Sequence, residues 1–162
     1  PLHKFPGFTT TTWQCRPASR GTIQIQSNDP LEQPLIKPNY FAEKIDRDVA
    51  VEGIKILRKI YAQPAFRDLW DVEILPGAET QTDDQIWQMI QNGGGTVYHC
   101  VGTCRMGSDK EAVVDPELKV QGVEGLRVID ASVMPRITSA NTNAPILMIA
   151  EKGAAAILAD AV

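Results

Sequence analysis

Apolar and polar residues alternate along residues 22–26 (TIQIQ), the period of two expected of a half-buried strand. A second β-like run, residues 13–16, precedes it, and the PASRG segment between them reads as a turn. Residues 28–41 (NDPLEQPLIKPNYF) carry three prolines. Each proline disfavours helix at the residue before it, so this stretch is expected to be extended. The period then lengthens. Ala50, Ile54, Leu57 and Tyr61 fall on one stripe, with Val51 and Ile60 beside it and charged residues opposite, which predicts an amphipathic helix over 46–61, ended by Pro64. Residues 71–75 predict a short strand closed by Pro76 and Gly77. Thr82, Asp83 and Asp84 predict the start of a helix that runs to about Gln91 and stops at the glycines 93–95. A strand leading into a loop is expected from Thr96, and a short apolar strand over 126–129 leads to Asp130. Residues 145–159 are apolar on most sides, which predicts a buried helix. Residues 1–11, with two prolines, a glycine and a threonine run, read as a loop or cut end.

These elements give an α+β fold, and composition adds bounds to it. The chain has 162 residues, enough to bury a core, with 43% hydrophobic and 22% charged residues. The net charge is −4, with no basic block, which argues against nucleic acid as a partner. No apolar run reaches the roughly 18 residues of a membrane span, and no signal-peptide pattern opens the chain. Three cysteines are too few, and odd in number, for a disulfide framework, which favours a reducing compartment such as the cytoplasm.

Two stretches concentrate the chemistry. Residues 98–107, YHCVGTCRMG, hold His99, one of two histidines in the chain. Residues 139–152, SANTNAPILMIAEK, follow further on. Taken alone, a histidine in an apolar strand is more often a core residue bonded to backbone than a catalytic group. A zinc site at His99, Cys100 and Cys104 lacks a fourth ligand, and neighbours in a strand point to opposite faces. A cysteine nucleophile beside its own histidine has poor geometry, and small, buried, unreactive thiols are the expectation. No metal is expected. Asn143, Ala144 and Pro145 open the last helix, asparagine being a favoured N-cap and proline suited to the first turn. Such a helix start presents free N–H groups and a partial positive charge, apt for an electron-rich partner.

Together the two stretches resemble the C-terminal signatures of the glucose–methanol–choline (GMC) oxidoreductase family, and NTNAP with IAEK is most similar to its choline dehydrogenase-like members. The string 126–135 (LRVIDASVMP) resembles the family's last FAD-domain strand and turn. RPASRG at 16–21 and the proline-rich segment at 29–40 resemble the opening of its substrate domain, and no catalytic role is assigned to them. The resemblance implies an antiparallel substrate-binding sheet backed by helices, followed by the C-terminal strand and helix of an FAD-binding domain. It divides the chain into a substrate-binding portion over 12–98 and an active-site loop with the returning strand and helix over 99–162. It implies oxidation of an alcohol to an aldehyde or ketone, with the proton taken by His99, the substrate oxygen held by Asn141, and the hydride passed to FAD. Asp130 and Ala131 would approach the ribityl and diphosphate portion of FAD, and Asn143, Ala144 and Pro145 the flavin ring. The family's GxGxxG fingerprint is missing from the sequence: GGG at 93–95 follows a helix, where the motif must follow a strand. The resemblance therefore implies a piece of a larger flavoenzyme whose partner is its N-terminal FAD-binding portion, cytoplasmic or associated peripherally with a membrane. Other readings are a non-catalytic fragment or interaction module, and a hydroxynitrile lyase on the same scaffold.

Overall fold

A computed structural model describes residues 3–161. It is a small α+β protein with one two-stranded antiparallel sheet and three α-helices among the described residues. The chain forms two compact units that interleave in sequence, one from residues 3–14 and 41–95, the other from 15–40 and 96–161.

The first unit is helical. Helix α1 (Lys44–Tyr61) turns Val51 into the interior and half-buries Ala50, Ile54, Leu57 and Tyr61, the expected stripe; Ile60 remains exposed. Helix α2 (Asp83–Gly93) packs on α1 and buries Ile86 completely. Its start is a full capping box. The Thr82 hydroxyl accepts from the Gln85 amide, and the Gln85 side chain accepts from the Thr82 amide. Arg58, in the last turn of α1, donates to both oxygens of Glu73 and to the carbonyls of Gly77 and Thr80. That fork explains why residues 71–75 are not the strand their alternation predicts. Val72, Ile74 and Leu75 are more than 60% exposed, no segment among the described residues pairs with them, and Glu73 is drawn to Arg58. Tyr61 closes the end of α1 in a ring cluster with Phe8, Phe66 and Trp70.

In the second unit, β1 (Thr22–Gln24) pairs antiparallel with β2 (Leu35–Lys37), with Ile23 opposite Ile36. The proline-rich segment thus supplies a strand, preceded by a turn closed from the Glu32 amide to the Asp29 carbonyl. Residues 13–16 form no strand, because no segment among the described residues offers them a ladder. Residues 126–129 make only the Lys119–Arg127 bridge, flanked by bonds from the Val120 amide to the Leu126 carbonyl and from the Val128 amide to the Leu118 carbonyl. The core joins Val114, Leu118, Val133, Met134 and Ile149.

Helix α3 (Asn143–Asp160) is long and apolar, yet it is not buried as expected. It turns Ile149 and Gly153 inward and leaves Leu147, Met148, Ile157 and Leu158 exposed. A helix apolar all round needs cover on several faces, and the core here covers one. No helix among the described residues is long and apolar enough to cross a membrane. Gly153 is where α3 meets the returning segment: a Cβ there would lie 2.5 Å from Ile129 Cγ2. Gly153→Ala should therefore lower the melting temperature. Overpacking of this kind costs roughly 1–3 kcal/mol, more than the ~1 kcal/mol that alanine adds to helix propensity. Thermal unfolding followed by circular dichroism checks this, and an unchanged or raised midpoint would contradict the packing described.

Candidate active site

The loop that carries His99 is held from behind. The Cys104 amide donates to the Ser132 carbonyl, and the Met106 amide to the Val133 carbonyl. The Gly107 amide bonds the Val114 carbonyl, while the Val113 amide returns to Arg105. The GTCRMG part of the motif is thus stitched between the turn at 131–133 and the segment at 113–114. Gly102 takes φ +92°, a left-handed conformation that disfavours a side chain. Tyr98 also sits at positive φ, 59°, which no ordinary strand residue adopts. The strand expected from Thr96 is accordingly absent, and irregular chain bends at Tyr98 just before His99.

This bend presents the half-buried imidazole to the start of α3. His99 Nε2 lies 3.2 Å from Asn141 Oδ1, across 42 residues of sequence. Nδ1 lies 3.3 Å from the Thr142 hydroxyl. Both ring nitrogens therefore have partners from consecutive residues. Asn141 is exposed and Thr142 buried, so the pair has one face in solvent and one fixed in the protein. The segment bearing them is tied down again by Arg16, whose Nε donates to Ser139 Oγ at 2.7 Å.

Of the other expected site residues, Asn143 and Ala144 are exposed, and Pro145 is half-buried, all in the first turn of α3. Asn143 is the first helical residue and not the cap, which is Thr142; no side chain caps the turn. Asp130 caps the short 3-10 turn Ala131–Val133, its Oδ1 accepting from the Ser132 amide and hydroxyl. Ser132 and Val133 connect that turn to the motif loop, but no hydrogen bond joins Asp130 or Ala131 to His99 or Asn141 among the described residues. Cys100 is exposed, with Tyr40 Oη 3.8 Å from its sulfur, so it is not the buried thiol expected. Among the described residues no group of His, Cys, Asp and Glu is placed to hold a metal ion.

Sequence reasoning missed Thr142. As the middle residue of SANTN it carries no signal of its own; only the fold turns its hydroxyl to the imidazole. It also missed the clamp closing the motif. Arg105 makes a two-pronged bond to Asp109 at 2.6 and 2.9 Å. That guanidinium, aided by the Glu111 amide, holds the Asp109 carboxyl well below the usual carboxylate range.

Comparison with known proteins identifies the family. A family model for GMC oxidoreductase matches residues 17–150. The chain is 44% identical over 152 residues to an alcohol dehydrogenase [acceptor] of Pseudomonas putida, covering 94% of this chain and 28% of that protein. It is 47% identical over 149 residues to an oxygen-dependent choline dehydrogenase of Paraburkholderia phymatum, covering 92% and 26%. Among solved structures, an FAD-dependent oxidoreductase from Chaetomium thermophilum superposes with a TM-score of 0.84 at 34% identity, over 90% of this chain and 26% of that one. The chain belongs to the GMC oxidoreductase family and carries its C-terminal domain. It spans about a quarter of the length of these relatives.

The Arg105–Asp109 clamp sets a pH dependence. A carboxyl whose folded-state pKa is depressed contributes stability above its unfolded value, near 3.9, and that contribution is lost as pH falls toward the folded value. Urea unfolding at neutral pH and at about pH 3 should show Asp109→Asn less stable than wild type at neutral pH. The difference should shrink in acid. A gap that stays constant would show that the carboxylate charge is not what holds the loop.

Proposed function

We propose that this chain is the C-terminal part of an FAD-dependent oxidoreductase that converts an alcohol to an aldehyde or ketone. The observation that carries the proposal is the 3.2 Å approach of His99 Nε2 to the Asn141 amide. Alcohol oxidation removes a proton from the hydroxyl and a hydride from the adjoining carbon. A neutral imidazole is suited to take the proton at Nε2. Asn141 is no base. Its amide offers an acceptor and, after rotation about χ2, a donor, so it can hold the substrate oxygen while charge develops there. FAD, when bound, supplies the hydride acceptor.

The residues present fit one side of that cofactor. The first turn of α3 is exposed and lacks a side-chain cap, so the amides of Asn143 and Ala144 are suited to the electron-rich edge of a flavin, with Pro145 setting the entry of the helix. Asp130 and Ala131 are suited to the ribityl and diphosphate side, the carboxylate keeping Oδ2 while Oδ1 holds its own turn. In this reading residues 12–98 form the substrate-binding portion, the small antiparallel sheet seeding a larger one with helices behind it. Residues 99–162 form the active-site loop and the returning elements of the FAD domain. The exposed apolar faces of α3 suit cover by the remainder of that domain.

Three outcomes follow. In the FAD-loaded full-length enzyme, His99→Ala should keep its flavin and fold but reduce flavin about 10²–10⁴ times more slowly on mixing with alcohol, the usual scale for a positioned acid–base group. Asn141→Asp should likewise impair reduction more than flavin content, because a carboxylate sets negative charge beside a developing alkoxide. Stopped-flow absorbance checks both. Normal reduction rates with a lowered melting temperature would make His99 a structural residue. The 162-residue chain alone should not bind FAD tightly, since it lacks the glycine-rich turn that opens a diphosphate-binding helix. Saturable micromolar binding in a flavin fluorescence titration would relocate the cofactor site.

A further inference from the structure

We infer that Thr142 is a positioning residue, its hydroxyl fixing the orientation of the His99 ring through Nδ1 so that Nε2 is the nitrogen presented to substrate. This rests on the assignment of His99 as proton acceptor. Three observations carry it. The first is the contact itself, Oγ1 to Nδ1 at 3.3 Å, made by a side chain that is 4% exposed and thus shielded from competition by water. The second is what the hydroxyl does not do. Thr142 stands at the N-cap of an 18-residue helix, where threonine ordinarily bonds an amide of the first turn, yet no such bond forms. Its backbone explains this. Thr142 has helical φ −84° and ψ −8°, whereas Thr82, which caps α2, is extended at φ −86° and ψ 157°. The helical ψ turns the Thr142 hydroxyl away from the helix amides and toward the imidazole.

The third is rigidity. The Thr142 carbonyl accepts from the Ile146 amide, and α3 is anchored in the core by Ile149 and Gly153. The ring therefore has an anchored partner at Nδ1. A hydroxyl suits this task because it can donate or accept. When Nε2 is free to act as base, Nδ1 carries the ring proton and donates to Oγ1, and it still does so after Nε2 has taken the substrate proton. The anchor thus survives the proton transfer it supports. Asn141 Oδ1 can only accept, and so pairs with Nε2 only when that nitrogen is protonated.

The test compares Thr142→Val and Thr142→Ser in the FAD-loaded full-length enzyme, with Thr142→Ala as the variant to use should valine fail to fold. Since Thr142 makes no cap, loss of its hydroxyl should leave flavin content and melting temperature near wild type. Valine should slow flavin reduction at saturating alcohol about 10- to 100-fold, the scale of a misplaced reacting group, with the alcohol dissociation constant unchanged. Serine should restore the rate. In spectra of the enzyme with nitrogen-labelled histidine, the His99 ring resonances should shift in the valine variant and return in the serine one. An unchanged rate, unchanged ring resonances, or a serine variant as slow as valine would each overturn the assignment. Should His99→Ala itself reduce flavin normally, the proton-acceptor reading fails, and this inference with it. Should only the threonine variants behave as wild type, the role of His99 stands and that of Thr142 is refuted.

Discussion

Two side chains 42 residues apart in sequence stay within hydrogen-bond reach only if both ends of the intervening chain are fixed. Fixing the two ends of the His99–Asn141 contact is the constraint that the rest of this unit meets. Its two ends are held by different means. On the histidine side, backbone bonds from Cys104, Met106 and Gly107 lock the motif loop against the Ala131–Val133 turn and the 113–114 segment. On the asparagine side, α3 fixes the chain through Ile149 and Gly153 in the core, and Arg16 ties Ser139. The threonine between asparagine and helix then reaches back to the second ring nitrogen.

The sequence was most legible where local chemistry decides the outcome. The stripe of α1 and the Thr82 cap of α2 are set by residues within one or two turns, and both elements lie close to where the pattern puts them. His99 and Asn141 were singled out by the particular strings around them, and the fold sets Nε2 and Oδ1 3.2 Å apart. Strands were the weak point. Residues 71–75 and the chain from Thr96 have the apolar content of strands, but a strand exists only with a partner, and pairing is not written in its own residues. Glu73 is claimed by Arg58, and Tyr98 breaks the extended backbone with its positive φ. Thr142 was illegible for a related reason: its role depends on a backbone angle that its own side chain does not dictate.

Helix α3 joins fold and site. Its first turn meets His99, its middle fills the core, and its last turn places Asp160 between Lys119 and Arg127. Both cations hold the Asp160 carboxyl below its ordinary range, Arg127 most strongly, which offsets the poor match between an acidic residue and a helix C-terminus. The same helix carries four large apolar side chains into solvent. The chain covers about a quarter of its relatives' length, and its longest apolar helix has one face packed and others open.

The central claim is that the His99–Asn141 pair serves alcohol oxidation with hydride transfer to flavin. It is tested most directly by mixing the FAD-loaded full-length enzyme, without oxygen, with a primary alcohol carrying hydrogen or deuterium on the carbinol carbon, and following the visible flavin band. The account predicts that the band bleaches within one turnover and that deuterium slows the bleaching. A flavin that stays oxidised in the presence of a panel of primary and secondary alcohols would contradict it.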